Sequence, residues 1–346
     1  MMKNNLFNYA TSELSQDAFI CYLMSFALED AKDDPILRSC AKSVLAAMVP
    51  EIAEEQVVLT GVERQKNHID VLLTAVCNEK KYKIVVEDKT YTSQHGNQLR
   101  DYLDYLRSTY PDYISKGVYY KTGFQSDLSP VTEAGYQIIT RSRMLELLAP
   151  CAERTSNQII LDYFEYWNEF EQEAQAYRTT PLAQWGWRQI YGFYDTLKNS
   201  DFPDRKQVGM KYEHVVNRSG GFENLCIWLH DDIVIIHDVS CELYLQIEAT
   251  WRDGKYDFPI CLKMKPLGGT VSGKDIRNAI IYDGAWNYRL THYHFKKPGR
   301  LAPGTHMTIG AYDATYEAAE SLRAALSSAI DDYMRLTFDL RSNALE

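Results

Sequence analysis

"KYKIVVEDKTYTSQHGNQLRDYLDYL", residues 81–106, decides how the first half of this chain is read. Residues 81–86 turn increasingly apolar and predict a strand, yet that strand ends on Glu87, Asp88 and Lys89. Alternate side chains of a strand share a face, so Lys83, Val85, Glu87 and Lys89 point one way. Asp88 points the other way with Ile84 and Val86. From about Asn97 to Ser108 the period changes. Leu99, Tyr102, Leu103 and Leu106 recur at i, i+3, i+4 and i+7, the spacing of one helix face, and Pro111 lies just beyond.

Working outward, "HIDVLLTAV" (68–76) reads as a second strand, joined to the first by a turn at 78–80. Asp70 shares a face there with Leu72 and Thr74. A hairpin of these two strands brings Asp70 beside Glu87, because paired strands lie about 4.8 Å apart. Carboxylates that close repel one another unless a cation sits between them. A hard divalent ion suits such oxygen ligands. Lys89, two residues past Glu87, reaches the same pocket. Its ammonium there can orient a water or balance charge on a phosphate.

The neighbouring segments complete a mixed α/β core. Residues 12–28 predict a helix, with Ser12 as N-cap and Glu13 in the first turn, where negative charge suits the helix dipole. A second helix is expected over 35–49 and a strand over 55–65. Beyond residue 108, strands are expected at 116–122 and 136–141, and helices at 142–149 and 156–177. Asp17 lies on the Glu13, Ile20, Met24 face of the first helix and is read as a solvated charge outside the site. Lys116, Lys121, Arg141 and Arg143 are read either as a phosphate track or as solvated strand ends.

Asp70 followed 17 residues later by Glu87-Asp88-Lys89 resembles the signature of the PD-(D/E)XK nuclease superfamily. Gln98 and Tyr102, at i and i+4 on the next helix, resemble the QxxxY motif of its RecB-like and lambda-exonuclease-like branch. "SELSQDAFICYL" (12–23) is similar to the leading helix of poorly characterised members, whose acid completes a metal site; Glu13 holds that place. No proline precedes Asp70; Ile69 stands there instead. The resemblance covers roughly residues 8–145. It implies an α/β fold with a restriction-endonuclease-like core, a central mixed β-sheet flanked by helices. It implies Mg²⁺ or Mn²⁺ held by Glu13, Asp70, Glu87 and the backbone carbonyl of Asp88. Asp70, Glu87, Lys89, Gln98 and Tyr102 would be catalytic, with Lys89 positioning the attacking water. Gln98, Tyr102 and the loop residue His95 would contact substrate. The implied activity is phosphodiester hydrolysis of nucleic acid, DNA before RNA, in DNA processing or defence against mobile DNA. The alternative is a nuclease-fold module that no longer cuts and binds nucleic acid or a protein partner.

Composition bounds these readings. The chain has 346 residues and a formal net charge of −10, so any contact with phosphates must be local. Seven cysteines, none in a CxxC pair, speak against a disulfide framework or structural zinc. The polar N-terminus and the absence of any membrane-length apolar run predict a soluble, cytoplasmic protein with no membrane partner.

"YRTTPLAQ" (177–184) interrupts the pattern and is read as a boundary between domains 1–178 and 179–346. The second domain is expected to be α+β, and its role is left open among substrate selection, binding of a protein partner and homo-oligomerisation. An aromatic helix over 182–198 would use Trp185, Trp187, Tyr191 and Tyr194 for packing. Strands are expected at 225–237, 241–250, 257–264 and 288–295, and a helix at 315–336. On the strand at 288–295, His292 and His294 would share a face and offer two metal ligands without a third.

Overall fold

The computed structural model describes residues 4–31, 33–200, 202, 208–217, 220–229, 233–236, 238–268, 273–298 and 305–342. The chain divides into two compact units, Met1–Gln172 and Glu173–Glu346. Both are built from β-sheets flanked by helices, one sheet mixed and the other antiparallel. Among the described residues no helix is long and apolar enough to cross a membrane.

The first unit begins with α1 (Glu13–Ser25) and α2 (Pro35–Met48). Asp34 caps α2 by accepting a hydrogen bond from the Leu37 backbone N–H at 3.0 Å, and Pro35 opens the helix with its φ already set. Ser12 occupies the N-cap position of α1, but its hydroxyl pairs with that of Ser15 at 3.2 Å instead of the backbone. The strands follow as β1 (Val58–Lys66), β2 (Ile69–Cys77) and β3 (Lys80–Lys89). Asn67 and His68 have φ of 52° and 65°, and Asn78 and Glu79 have 49° and 64°. Two consecutive positive φ values define the two-residue turn whose twist matches paired strands, so both hairpins close tightly. Closure sets the register: Cys77 pairs with Lys80 and Val71 with Val86, which carries Asp70 beside Glu87.

After β3 come α3 (Gln98–Thr109), β4 (Ile114–Lys121), α4 (Ser129–Glu133), β5 (Tyr136–Thr140), α5 (Arg141–Ala152) and α6 (Gln158–Gln175). The sheet order is β1-β2-β3-β4-β5, antiparallel in the hairpins and parallel from β3 to β5. The crossover helices cover one face, where Leu99, Leu103 and Leu106 of α3 pack with Leu72, Val85 and Tyr119. Residues of α1, α2, α5 and α6 cover the other, packed on Val71, Leu73, Ile84, Val86, Val118 and Tyr120. Parallel β3 and β4 end at the same edge, Lys89 beside Lys121. The carboxyl ends of parallel strands are where open α/β sheets place ligands.

The second unit contains α7 (Trp187–Asn199), β6 (Val208–Val215), β7 (Phe222–Leu229), β8 (Ile233–Ile236), β9 (Val239–Arg252), β10 (Lys255–Asp257) and β11 (Ile260–Pro266). It continues with α8 (Gly273–Tyr282), α9 (Gly284–His292), β12 (Phe295–Lys296), β13 (Met307–Tyr312) and α10 (Ala319–Ser342). The strands form one antiparallel sheet, and Leu322, Leu326, Ile330, Tyr333, Leu336 and Leu340 form the buried face of α10. Trp185 and Tyr194 are buried, and the Trp185 indole donates to the Thr180 carbonyl at 2.8 Å.

Two strand expectations in this unit are overturned. The strand expected at 288–295 is helix up to His292: Asp283 caps it through the Ala285 N–H at 2.8 Å, and Leu290 is buried. The alternation of "THYHF" is thus overridden by a cap and a buried helical position. His292 ends α9, while His294 sits in a turn at φ 57° with Nδ1 2.8 Å from Asp332 Oδ2. The two histidines do not share a strand face. The strand expected at 225–237 is two strands, and residues 230–232 and 237 lie outside the described residues.

Candidate metal centre

Asp70 is the hub of the site. Its Oδ2 accepts the Asp88 backbone N–H at 3.3 Å and lies 3.8 Å from Lys89 Nζ. Its Oδ1 accepts from Gln65 Nε2 at 3.2 Å, and the same nitrogen donates to Asp17 Oδ2 at 2.8 Å. Carboxylate oxygens of Asp17, Asp70 and Asp88 all lie within 4.8 Å of one another. Among the described residues this is the group of three or more such side chains close enough to hold a metal ion together.

Asp17 was expected in solvent, and the structure corrects this: it is 1% exposed. Glu13 and Asp17 lie one helical turn apart, so one face of α1 presents both to the strand tips. That face is buried from Asp17 onward, with Ile20 and Met24 in the core, and Glu13 is half-buried at its start. Glu13 itself is anchored elsewhere. Its Oε1 accepts the Thr90 N–H at 3.0 Å and the Thr92 hydroxyl at 2.9 Å, which tethers the segment after β3 to α1.

Glu87, 0% exposed, belongs to the other side of the strand. Its Oε1 is bonded to Lys89 Nζ and accepts from Gln98 Nε2 at 2.8 Å. Lys89 also donates to the Asp88 carbonyl at 3.1 Å. Gln98 and Tyr102 meet at 2.9 Å, and the Tyr102 hydroxyl donates to the His68 carbonyl at 2.5 Å. Gln98 and Tyr102 therefore join α3 to the acid–lysine pair and to the β1–β2 turn. His95 is exposed in the loop before α3, and its carbonyl accepts the Gln98 N–H at 3.1 Å.

The electrostatics follow from burial without enough countercharge. Burial pushes Asp88 well above the usual carboxylate range, and Asp17, Asp70 and Glu13 push the same way. Burial and the Asp70 carboxylate raise Glu87 to about 7, against the pull of Lys89. Burial and Asp17 raise Asp70, opposed by Lys89, Gln65 and the Asp88 N–H. Burial pulls the Lys89 ammonium down, but Glu87, Asp70 and Glu13 outweigh it and leave its pKa raised.

Both Asp88 oxygens, Asp17 Oδ1 and Glu87 Oε2 are buried and accept no hydrogen bond. A buried, unpaired carboxylate is costly, whereas a hard cation satisfies several at once. An all-carboxylate donor set fits Mg²⁺ or Mn²⁺ better than it fits zinc. Asp17, Asp70 and Asp88 therefore fit such an ion. The expected set of Glu13, Asp70, Glu87 and the Asp88 carbonyl shares only Asp70 and the Asp88 residue with it.

The basic residues expected as a phosphate track have protein partners instead. Lys121 donates to the Thr90 and Thr92 carbonyls at 3.0 and 2.6 Å. Arg141 is buried and bonds Glu171 and the Thr122 carbonyl, Lys116 pairs with Glu51, and Arg143 with Glu146. Lys121 and Arg141 sit at the ends of elements that close over the core, so neither is a free phosphate hook or a solvated end.

No family model, no curated protein and no solved structure matches this chain.

Proposed function

We propose that the unit Met1–Gln172 is a metal-dependent nuclease with a restriction-endonuclease-like core, hydrolysing phosphodiester bonds of DNA. The observation that carries this reading is one strand tip that presents an acid to each side. Lys89 lies against Glu87 and 3.8 Å from Asp70, while Asp88 turns two unpartnered oxygens toward Asp17 and Asp70. Asp17, Asp70 and Asp88 would hold a divalent cation, which would supply charge neutralisation for a phosphate and lower the pKa of a water.

The chain's own groups supply the rest. Lys89 Nζ donates to Glu87 and the Asp88 carbonyl and lies 3.8 Å from Asp70, where its remaining ammonium hydrogen can hold a water or a phosphate oxygen. Glu87, raised to about 7, is poised to accept a proton near neutral pH. Gln98 fixes Glu87 through Oε1 and leaves its own Oε1 buried and unpartnered, so its carboxamide orients the acid. Tyr102 holds Gln98 in that orientation.

The test is a cleavage assay. Wild type, Lys89→Ala and Asp70→Asn are incubated with linear duplex, plasmid, single-stranded DNA and RNA, each with Mg²⁺, Mn²⁺ or EDTA. Cleavage by wild type that EDTA abolishes, and that falls about 10²–10³-fold in either folded variant, supports the proposal. No cleavage of any substrate, together with no metal-dependent shift in melting temperature, sinks it and favours the non-cutting module.

A further inference from the structure

Gln65 stands out from the other residues around the cluster. It lies between the register pairs Arg64–Val71 and Lys66–Ile69, across the hairpin from Asp70. Its φ is 52°, in the left-handed region that disfavours side chains other than Asn, Asp and His. A residue held in that conformation marks a place where surrounding contacts outweigh local strain. Here the contacts are two. One amide nitrogen uses both its hydrogens on separate carboxylates, Asp17 of α1 and Asp70 of β2.

Those bonds leave a specific pattern of free oxygens. Gln65 takes Asp17 Oδ2 and leaves Asp17 Oδ1 buried and unpartnered, as are both oxygens of Asp88. The amide approaches from the exposed side of the hairpin, since Gln65 itself is exposed. It therefore holds two carboxylates from outside, with unpartnered acceptors left inside the cluster. We infer that Gln65 is a positioning residue for the cation site: its carboxamide clamps Asp17 to Asp70 and presents their oxygens, with those of Asp88, to one divalent ion. This rests on the metal-site reading proposed above.

The role is that of an outer partner that orients first ligands, whose loss typically weakens metal binding 10–100-fold. The backbone strain supplies a control. Asn adopts the left-handed conformation more readily than Gln, but its side chain is one methylene shorter. Gln65→Asn thus relieves the backbone and loses the reach, while Gln65→Met keeps the length and loses both donors.

The experiment measures Mn²⁺ and Mg²⁺ dissociation constants by calorimetry on the full chain, with melting temperatures in EDTA for each variant. The inference expects both variants to stay folded and to bind Mn²⁺ about 10–100-fold more weakly. It expects Gln65→Asn to do so even where its melting temperature in EDTA equals or exceeds that of wild type. A merely structural Gln65 would leave the dissociation constant unmoved. Wild-type binding with equal or tighter binding by the variants overturns the inference and leaves the metal site standing. No binding by wild type overturns the metal site and the inference together.

Discussion

Asp17 on the first helix and Asp88 at the tip of the third strand, 71 positions apart in the chain, meet inside the protein with carboxylate oxygens within 4.8 Å. Lys89, the neighbour of Asp88, turns to the other side of the strand and binds Glu87. The period-2 alternation of one strand therefore sorts adjacent charges into two partners: an acidic cluster on one side and an acid–lysine pair on the other. Asp70 touches both.

Asp88→Asn should stabilise the metal-free protein. The aspartate places two unpartnered oxygens against Asp17 and Asp70, whereas an asparagine amide can donate to Asp17 Oδ1. An asparagine side chain is neutral without taking up the proton that burial forces onto Asp88 far above the ordinary carboxylate range, and avoiding that cost is worth about 1–3 kcal/mol. The same change removes a proposed ligand, so Mg²⁺ or Mn²⁺ should raise the melting temperature of wild type and not that of the variant. Thermal melts in EDTA and in 5- to 10-fold steps of metal concentration read both effects. A variant that melts lower than wild type in EDTA would contradict the reading of Asp88 as an uncompensated acid.

The pH dependence of the metal-free protein follows from the same groups. Glu87 has a folded pKa raised from 4.5 to about 7, and Asp88 is raised as well. The folded state then holds protons that the unfolded state releases, so stability falls as pH rises between those values. Stability from Glu87 is fully present below the ordinary carboxylate range and lost as pH passes through about 7. The melting temperature in EDTA should therefore be higher at pH 6 than at pH 8. Mn²⁺, which binds the ionised acids, should raise it more at pH 8 than at pH 6. Equal or opposite trends across that window would place the charged forms in a better-compensated setting than the one described.

Much of the first unit was legible because its signals are local. Strand alternation, a two-residue turn at 78–79 and the 3–4 spacing of Leu99, Leu103 and Leu106 each follow from short-range rules. The adjacency of Asp70 and Glu87 follows from them once the hairpin register is set. Asp17 was misread because its burial depends on where α1 lands on the sheet, which no local pattern reports. The available hint was its place on the same face as Ile20 and Met24. Gln65 carried no signal at all: its role appears only when the turn at Asn67 and His68 sets it across from Asp70. In the second unit the sequence carries no expectation for β6, α8 or β13, and residues 288–292, expected as strand, are the end of α9. Their apolar runs are short, and long-range pairing in one antiparallel sheet decides them.

Lys121→Met should loosen the segment that follows β3. The Lys121 ammonium, buried and brought down to about 8 against the favourable pull of Glu13, holds the Thr90 and Thr92 carbonyls. Those residues in turn bind Glu13 through the Thr90 N–H and the Thr92 hydroxyl. Losing a charged donor to one buried and one part-buried carbonyl costs about 1.5–3 kcal/mol. Hydrogen exchange should show faster labelling of residues 90–97 than of β4 itself. Uniform acceleration across the sheet would mean that Lys121 supports the whole unit and not this tether.

Gly123→Ala should cost more than its single methyl suggests. A Cβ at Gly123 would lie 2.0 Å from the Thr90 carbonyl oxygen, a backbone atom that cannot rotate away. Thr122 binds this same stretch, its N–H donating to the Lys89 carbonyl at 3.2 Å and its hydroxyl meeting that of Thr90 at 2.9 Å. The clash must therefore be relieved by separating the carboxyl ends of β3 and β4, which carry Lys89 and Lys121. Overpacking of this kind costs about 1–3 kcal/mol or more. Gly284→Ala, which meets nothing within 4 Å, is the control and should stay within about 0.5 kcal/mol of wild type. If the strand ends separate, Gly123→Ala should also weaken Mn²⁺ binding, because Asp88 directly precedes the displaced Lys89 carbonyl. A destabilised variant with wild-type Mn²⁺ affinity would show that the cluster is held by α1 and the β1–β2 hairpin without help from β4.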